Sequence, residues 1–319
     1  MRKAILLYNL LSGRRRHRRS ADVDSAVSVL RAAGVEVLAS PTRSGSAASE
    51  QARQAAAAGY DTIVACGGDG TIHDILQGMV GTAAALAVIP LGTANSLAHD
   101  LRIPKNPAVA ARMALSATAK RIAVGRVQYL DFEGNNSVRH FMVAVGVGVD
   151  AHLFYKLNLS LKQQLGMIAY YGKAMHLWLT HRMESFSADY WQTGMSEPSR
   201  STVSELLAVR IRNFGGILQE LAPGASLDRN DLRLVLFRTT SRVYYLLYVI
   251  RGLLGQRWNV PGIDLLHSHK IFCQSLSASS PAKPGSRVYV EADGELVGTV
   301  PAEITVVPDA VTLLVPGPP

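Results

Sequence analysis

The chain reads as an α/β protein, a parallel sheet with helices on both faces, followed by a strand-rich second part. Two observations predict this. Up to about residue 122, short apolar runs alternate with helical stretches, and two of the strand-to-helix junctions are glycine-rich turns. After Lys120 the rhythm changes to short strands separated by turn residues. The boundary between the two units is placed at residue 122.

In the first unit, Ala4–Tyr8, Val35–Leu38, Ile63–Cys66 and Leu86–Ile89 read as buried strands, with helices over Asp22–Ala33 and the alanine-rich Ser46–Ala58. Ile63-Val64-Ala65 runs into Cys66-Gly67-Gly68-Asp69-Gly70-Thr71. Beyond that turn, Ile72, Ile75, Leu76, Met79 and Val80 fall on one helix face. Thr71 and Asp74 resemble a capping box, with Asp in place of the usual Glu. Leu86–Ile89 likewise leads into Pro90-Leu91-Gly92-Thr93-Ala94-Asn95 and a short helix from Leu97 to Leu101. Ligands of parallel sheets bind beyond the carboxyl ends of the strands, where both turns fall. Glycines let the backbone approach a ligand and aim N–H groups at phosphate oxygens, and a helix N-terminus adds its positive end. Asp69 repels phosphates unless a cation lies between them, and Mg²⁺ accompanying a nucleotide is the natural one. Ordinary βα turns also use glycine, but two such turns together favour a phosphate site.

In the second part, Val124–Leu130 and Val138–Val145 form a hairpin about Gly134-Asn135-Asn136. Further strands are expected at Val203–Ile211, Leu232–Phe237, Val288–Ala292 and Ile304–Val307. Two segments interrupt them, Leu153–Arg182 and Val243–Trp258, both rich in apolar and aromatic residues with basic neighbours. Such helices lie in a membrane interface or pack on their own domain.

Composition narrows the classes. A 319-residue chain with 48% hydrophobic residues can bury a substantial core. Two cysteines, Cys66 and Cys273, give no disulfide framework, and Cys66 reads as a small buried residue. Ala4–Leu7 is too short for a secretory core, and the longest apolar segment, Val243–Leu254, is interrupted by Arg251. The expectation is a cytoplasmic protein, soluble or peripheral on the inner face of the cytoplasmic membrane. The net charge of +9 suggests an anionic partner. Its densest cluster is Arg14-Arg15-Arg16-His17-Arg18-Arg19, readable as a solvated loop, an aid to ATP phosphates or a contact to anionic lipid. No zinc finger, RNP aromatic set or heptad accompanies it, so no nucleic-acid partner is expected.

Read together, these motifs resemble the diacylglycerol kinase catalytic-domain family, which includes bacterial lipid kinases and sphingosine and ceramide kinases. Asn9-Leu10-Leu11-Ser12-Gly13 is similar to its NPxSG turn, with Leu10 for Pro. Thr42-Arg43-Ser44-Gly45-Ser46-Ala47 resembles TxxxGxA, Gly67–Thr71 matches GGDGT, and Pro90–Asn95 matches PLGTxN. The Asn-Glu pair that often follows GGDGT is His73-Asp74. Gly146–Ala151 resembles GxGxDA; Asn213, Gly215-Gly216, Pro223 and Ala225 resemble the next elements; Asp293-Gly294-Glu295 matches DGE.

The resemblance implies a mainly antiparallel, β-sandwich-like domain over 123–304, a cleft between the domains, and a C-terminus (about 305–319) that returns to the first. It implies ATP with Mg²⁺ and a lipid hydroxyl acceptor at a membrane surface, with anionic phospholipid as a partner. Asn9, Ser12, Gly13, Thr42, Gly67, Gly68, Asp69, Gly70, Thr71, Gly92, Thr93 and Asn95 would hold the nucleotide. Backbone N–H groups of Gly67, Gly68, Gly70 and Gly92 would cradle phosphates, and Asp69 would lie near the Mg²⁺. Glu295 would take the hydroxyl proton, as in bacterial members, with Asp69 the alternative suggested by sphingosine-type members. Many bacterial members hold a structural Mg²⁺ at an Asp-Gly segment after PxA. Arg229 falls at that aspartate, leaving Asp228 or Asp231 as its only nearby carboxylates. The acceptor lipid is not specified, and the oligomeric state, a homodimer included, is open. Competing readings are a lipid- or nucleotide-binding regulatory protein of the same fold and, through GGDGT, an NAD kinase, although the NxGxLGFL stretch of NAD kinases is absent.

Overall fold

The computed structural model describes residues 1–9, 19–149, 183–215, 220–276 and 287–317. Its first four strands are β1 (Lys3–Asn9), β2 (Glu36–Thr42), β3 (Thr62–Gly67) and β4 (Ala85–Pro90). They pair in parallel in the order β2-β1-β3-β4. Helices α1 (Arg19–Ala32), α2 (Gly45–Ala57) and α3 (Asp69–Met79) connect them, and α4 (Ser96–Asp100) and α5 (Pro107–Ser116) follow β4. Side chains alternate across a strand, so the apolar runs serve two cores at once. Ala4, Leu6, Val64 and Ile89 face Val23, Val27 and Leu30 of α1 and Ala110 of α5. Ile5, Leu7, Ile63 and Val88 face Ala48 and Ala52 of α2 and Ile72, Ile75 and Met79 of α3.

The second domain contains β5 (Thr118–Leu130), β6 (Asn136–Phe141), β7 (Ala144–Gly148), β8 (Phe186–Gln192), β9 (Ser199–Val203), β10 (Glu205–Val209) and β11 (Leu232–Phe237). Helix α6 (Arg242–Leu253) and strands β12 (Ile263–Ser275), β13 (Tyr289–Ala292) and β14 (Glu295–Val315) complete it. Pairing within this domain is antiparallel, and the path β14-β13-β7-β10-β11-β12 closes back onto β14. The sandwich-like enclosure holds its own core, including Phe141, Phe186, Leu206, Leu234, Ile271 and Ile304. Strand β14 joins both domains. It pairs with β13, β12 and β5, and Thr312 and Leu313 then run parallel to Ala85 and Leu86 of β4.

Several expected elements are cut differently. The hairpin turn spans Asp131–Asn135, where Asp131 Oδ1 accepts the N–H groups of Glu133 and Asn135. The stretch Val138–Val145 divides into β6 and β7 because Met142 and Val143 donate their N–H groups to Asp293. Val203–Ile211 breaks at Ser204, whose N–H donates to Phe237 O, and the chain there exchanges β8 for β7 and β11 as partners. Leu153–Arg182 lies outside the described residues. The other expected amphipathic segment forms α6.

Asp293 and Gly294 form the two-residue turn between β13 and β14, with φ of 50° and 85°. This is the primed-turn geometry that Asp-Gly favours in hairpins. The Asp293 carboxylate is buried. Its Oδ1 accepts from Val143 N (2.8 Å) and Ala144 N (3.1 Å), and its Oδ2 accepts from Met142 N (3.0 Å). Oδ2 also lies 3.2 Å from Nδ1 of His73 on α3, so one carboxylate ties the two domains. One turn further along α3, Gln77 donates to His140 O and accepts from His140 N. At the end of α4, Asp100 Oδ1 accepts from the N–H groups of Arg212 and Asn213.

Burial lowers the His73 pKa, but the hydrogen bond and charge of Asp293, with the charges of Glu295 and Asp74, outweigh it, and the net shift is upward. The stabilisation from charged His73 is therefore complete below its unfolded pKa of about 6.5 and is lost as pH rises through the higher folded value. Asp293→Ala is expected to cost roughly 3 kcal/mol or more, since it strands three buried donors and a buried cation. A double-mutant cycle with His73→Gln should give a larger coupling at pH 6 than at pH 9. Equal couplings would mean that His73 carries no charge.

Candidate active site

The two glycine turns stand side by side at the carboxyl ends of β3 and β4. Gly67 is in register with Pro90, and Leu91 N–H donates to Gly67 O at 2.8 Å. Gly68 and Gly92 meet backbone to backbone: a Cβ on Gly68 would stand 3.1 Å from Gly92 Cα, and a Cβ on Gly92 would collide with Gly68. The second turn is held by Asn95, which is buried at positive φ (54°). Its Oδ1 accepts from Gly92 N (2.8 Å), and its Nδ2 donates to Gly92 O (3.0 Å). The expected phosphate donor at Gly92 is therefore corrected: its N–H already serves Asn95.

The capping box between Thr71 and Asp74 does not form. Helix α3 starts three residues earlier than that box implies, at Asp69, with Gly68 as N-cap and no side-chain cap bond. Thr71 is buried with its side chain against Gly67. Thr42 is in register with Asn9, and its hydroxyl donates to Tyr8 O at 3.4 Å. Thr93 is exposed. Ser12, Gly13 and Arg14–Arg18 lie outside the described residues, as does Gly216.

Acidic side chains converge on the first turn of α3. A Cβ on Gly70 would lie 2.9 Å from Glu295 Oε1, so the hairpin carrying Asp293-Gly294 hangs Glu295 over this turn. Glu295 itself is exposed. Asp69 is pushed up by burial and by the Asp293 charge, although the N–H groups of Ser96, Leu97 and Asn95 at the start of α4 oppose the shift. Its Oδ1 is buried without a hydrogen-bond partner. Asp74 is pushed up to about 6 by burial and then by Glu295, with His73 and Arg139 opposing. The sequence singled out Asp69 and Glu295 and left His73 without a partner. The contributions of Asp74 and His73 follow from the approach of a hairpin more than 200 residues away, and the only sequence signal was their place directly after GGDGT.

A cavity of about 570 Å³ opens beside the second turn, lined by Asp22, Gly92, Thr93, Asn95, Lys105 and Asn106 among others. Its size is that of a small-molecule site. Arg19, the described end of the basic cluster, is buried behind it and donates Nη2 to Leu91 O at 3.1 Å. This arginine supports the turn rather than standing in solvent. Lys105 is a cation on this cavity that the motifs did not mark.

The carboxylates near Arg229 are engaged elsewhere. Asp228 pairs with Lys120 (2.5 Å), and Asp231 pairs with Arg229 (2.6 Å) and faces His267 (3.2 Å). The loop carbonyls turn instead to the buried guanidinium of Arg210. Nη1 donates to Arg229 O and Asp231 O (2.7 Å each), and Nη2 to Ala123 O (2.8 Å) and Leu227 O (3.3 Å). Burial lowers the Arg210 pKa to about 10, with Asp231 and Asp228 opposing, so it remains charged at neutral pH. These residues do not fit a structural Mg²⁺, because an internal cation already occupies the carbonyl cluster.

Comparison with known proteins agrees with this architecture. The model of the diacylglycerol kinase catalytic domain matches residues 3–127, and that of the YegS C-terminal NAD kinase beta sandwich-like domain matches 143–315. The chain belongs to the diacylglycerol kinase catalytic-domain family. It is 25% identical over 308 residues to the diacylglycerol kinase of Bacillus subtilis (strain 168), covering 95% of this chain and 93% of the relative. It is 30% identical over 223 residues to the "Probable lipid kinase YegS-like" of Chromohalobacter salexigens, covering 68% of this chain and 67% of the relative. In fold it is similar to a diacylglycerol kinase structure from Bacillus anthracis str. Sterne, with TM-score 0.69, 18% identity, and 99% and 97% of the chains covered. Yeast NADH kinase complexed with NADH shares the fold more distantly, with TM-score 0.51, 14% identity, and 99% and 84% covered. Relatives named diacylglycerol kinase and lipid kinase support a kinase, and a kinase of this family implies ATP use. No helix among the described residues is long and apolar enough to cross a membrane.

Arg210→Met should lower stability by roughly 3 kcal/mol or more, since four carbonyls lose their donor, whereas EDTA should leave the Tm of the wild-type protein unchanged. A Tm lowered by EDTA would indicate a metal in this loop. For Asp74, the folded pKa exceeds the unfolded one, so ionisation opposes folding; this cost is absent below about 3.8 and complete above about 6. Asp74→Asn should therefore raise the Tm at pH 8 and change it much less at pH 4.5.

Proposed function

We propose that this protein is an ATP-dependent lipid kinase that transfers the γ-phosphoryl group of ATP to a lipid hydroxyl at the inner face of the cytoplasmic membrane. The observation that carries the reading is the position of Glu295 over the first turn of α3, beside Asp69 and the paired glycine turns. The family membership and the relatives' names support it. The unit 1–122 would hold the nucleotide together with residues 305–319, and the unit 123–304 would present the acceptor.

In the transfer, the lipid hydroxyl oxygen attacks the γ-phosphorus, its bond to the β,γ-bridging oxygen breaks, and ADP leaves. The hydroxyl proton passes to a carboxylate within reach. Glu295 suits that role better than Asp69, because it is exposed to an arriving acceptor while Asp69 is half-buried with its Oδ1 shielded from solvent. Asp69 is suited to the nucleotide's Mg²⁺. Its unpartnered Oδ1 lacks a ligand, and the crowding of Asp74 by Glu295 is a repulsion that a divalent cation relieves. When bound, Mg²⁺ would neutralise charge on the phosphates. Gly68, Gly70 and the N-terminus of α3 would lie against the phosphates, and Lys105 is placed to contribute a cation from the cavity wall.

A binding-only protein of the same fold would draw its support from the replacements His73, Asp74 and Arg229. His73 and Arg229 have structural partners in Asp293 and Asp231, and Asp69 and Glu295 are intact, so a kinase is favoured.

The test is transfer of radiolabelled γ-phosphate from ATP and Mg²⁺ to mixed-micelle lipids bearing free hydroxyls, with NAD as a control acceptor. Label in lipid is expected. Glu295→Gln should lower kcat by roughly 10²–10⁴-fold with little change in ATP affinity, and Asp69→Asn should abolish turnover in a folded protein. Label in NAD, or undiminished transfer by Asp69→Asn, would overturn the assignment.

A further inference from the structure

Helix α6 presents to solvent a face that a soluble protein would ordinarily make polar. Val243, Leu246, Leu247, Leu253 and Leu254 follow helical spacing and are exposed, Val243 and Leu254 by 64% and 61%, and no charged residue occurs from Val243 to Ile250. The opposite face fixes the orientation. Tyr245 stacks on Phe237 (ring centroids 4.4 Å apart), and Tyr248 meets the same ring edge-on (5.2 Å). Trp258, just beyond the helix, is also exposed.

Beside this helix lies a cavity of about 790 Å³ whose lining includes three arginines: Arg233 from β11, Arg251 from α6 and Arg257 from the following loop. Arg251 is 3% exposed, and its Nε and Nη2 are buried without partners. Its Nη1 reaches Trp258 O only at 3.4 Å, and the guanidinium stands 4.3 Å above the Tyr248 ring. Arg233 Nε is also buried without a partner. The carboxylate on the lining, Asp264, is already paired with Arg238 at 2.7 Å, and Arg257 touches Glu220 at 3.4 Å. A buried guanidinium with unused N–H groups is costly to keep unless an anion satisfies it. Planar donor forks match phosphate oxygens in pairs.

We infer that α6 and this arginine cavity form a second lipid site, separate from the phosphoryl-transfer centre, which docks the protein on an anionic phospholipid surface. The headgroup phosphate enters the cavity among Arg233, Arg251 and Arg257. The apolar stripe of α6 and Trp258 enter the interface beside it, as amphipathic helices with aromatic residues do. Apolar insertion and charge act together, since either signal alone binds membranes weakly. This inference goes beyond the kinase reading and does not depend on it: a protein unable to transfer phosphate would still dock.

The experiment is co-sedimentation of the full chain with phosphatidylcholine vesicles, with and without phosphatidylglycerol, at low and high salt. Binding is expected only with phosphatidylglycerol and should weaken at high salt. Arg233→Gln and Arg257→Gln should each weaken it about fivefold, and Leu247→Glu combined with Leu254→Glu should abolish it. All four substituted side chains lie at the surface or the cavity wall, so Tm and the ATP-induced Tm shift serve as fold controls and should not fall. Three results would overturn the inference. These are binding unchanged in all variants, equal binding to pure phosphatidylcholine, and a wild-type dimer that the two leucine substitutions convert to monomer, which would mean that a second copy covers the face.

Discussion

One carboxylate sets the geometry on which the rest depends. Asp293 receives the N–H groups of Met142, Val143 and Ala144 and faces His73 across the domain boundary. Four donors on one buried side chain fix three things together. The strand that would otherwise run from β6 into β7 is interrupted, the β13–β14 turn is locked, and α3 is held against the second domain. Glu295 is only two residues from Asp293, so its placement over Gly70 is a consequence of that anchorage. A hairpin tip with no such anchor is free to fray, and its carboxylate would have no defined relation to the glycine turns. The reach of a candidate base toward the glycine turns is thus decided by a residue that need not touch substrate.

The same arrangement concentrates negative charge. Asp69, Asp74, Asp293 and Glu295 gather about the N-terminal turn of α3, with His73 as their buried basic neighbour. Burial and mutual repulsion push Asp69 and Asp74 upward, a cost that the amides at the start of α4 and the helix dipole of α3 only partly offset. A shift as large as that of Asp74 corresponds to a few kcal/mol of opposed ionisation, before solvent screening reduces it. Folds retain such opposition chiefly where it serves chemistry. Here it is the repulsion that the Mg²⁺ of the proposed nucleotide would relieve.

What the sequence disclosed follows the range of the interactions. The glycine turns were legible because their requirement is local: Gly68 and Gly92 exclude side chains, and the flanking apolar runs announce the strands. The β1–β4 strands and their helices were legible through periodicity for the same reason. The pairing of His73 with Asp293 was not, because it joins residues 220 positions apart through the closure of the second sheet. Strand β12 was missed since His267-Ser268-His269-Lys270 breaks the apolar alternation, and Ser268 is nonetheless buried, donating its hydroxyl to Trp191 O. Helix α5 was missed although Asn106 and Pro107 form a good N-terminus, because alanine supplies little apolar contrast. At α3 the cap was read three positions late, at Thr71 instead of Gly68. The close approach of Gly68 to Gly92 leaves little room for a capping side chain at that position.

Two buried arginines of the second domain show how the same residue type divides between scaffold and surface. Arg210 spends Nη1 and Nη2 on four carbonyls, leaving only Nε without a partner, and it closes a loop that a metal ion would otherwise have to close. Its charge is internally solvated, so its loss matters to folding. Arg251 is nearly as deeply buried, yet Nε and Nη2 find nothing and Nη1 has one long contact. Its surroundings supply the ring and hydroxyl of Tyr248 and two further guanidinium groups, and leave Nε and Nη2 unmatched. Desolvation without compensation is a cost that the chain could have avoided by placing a leucine there, as it does along the outer face of the same helix. That it carries an arginine beneath an apolar stripe is best understood if the missing acceptor comes from outside, on a molecule that is anionic at its head and apolar behind it.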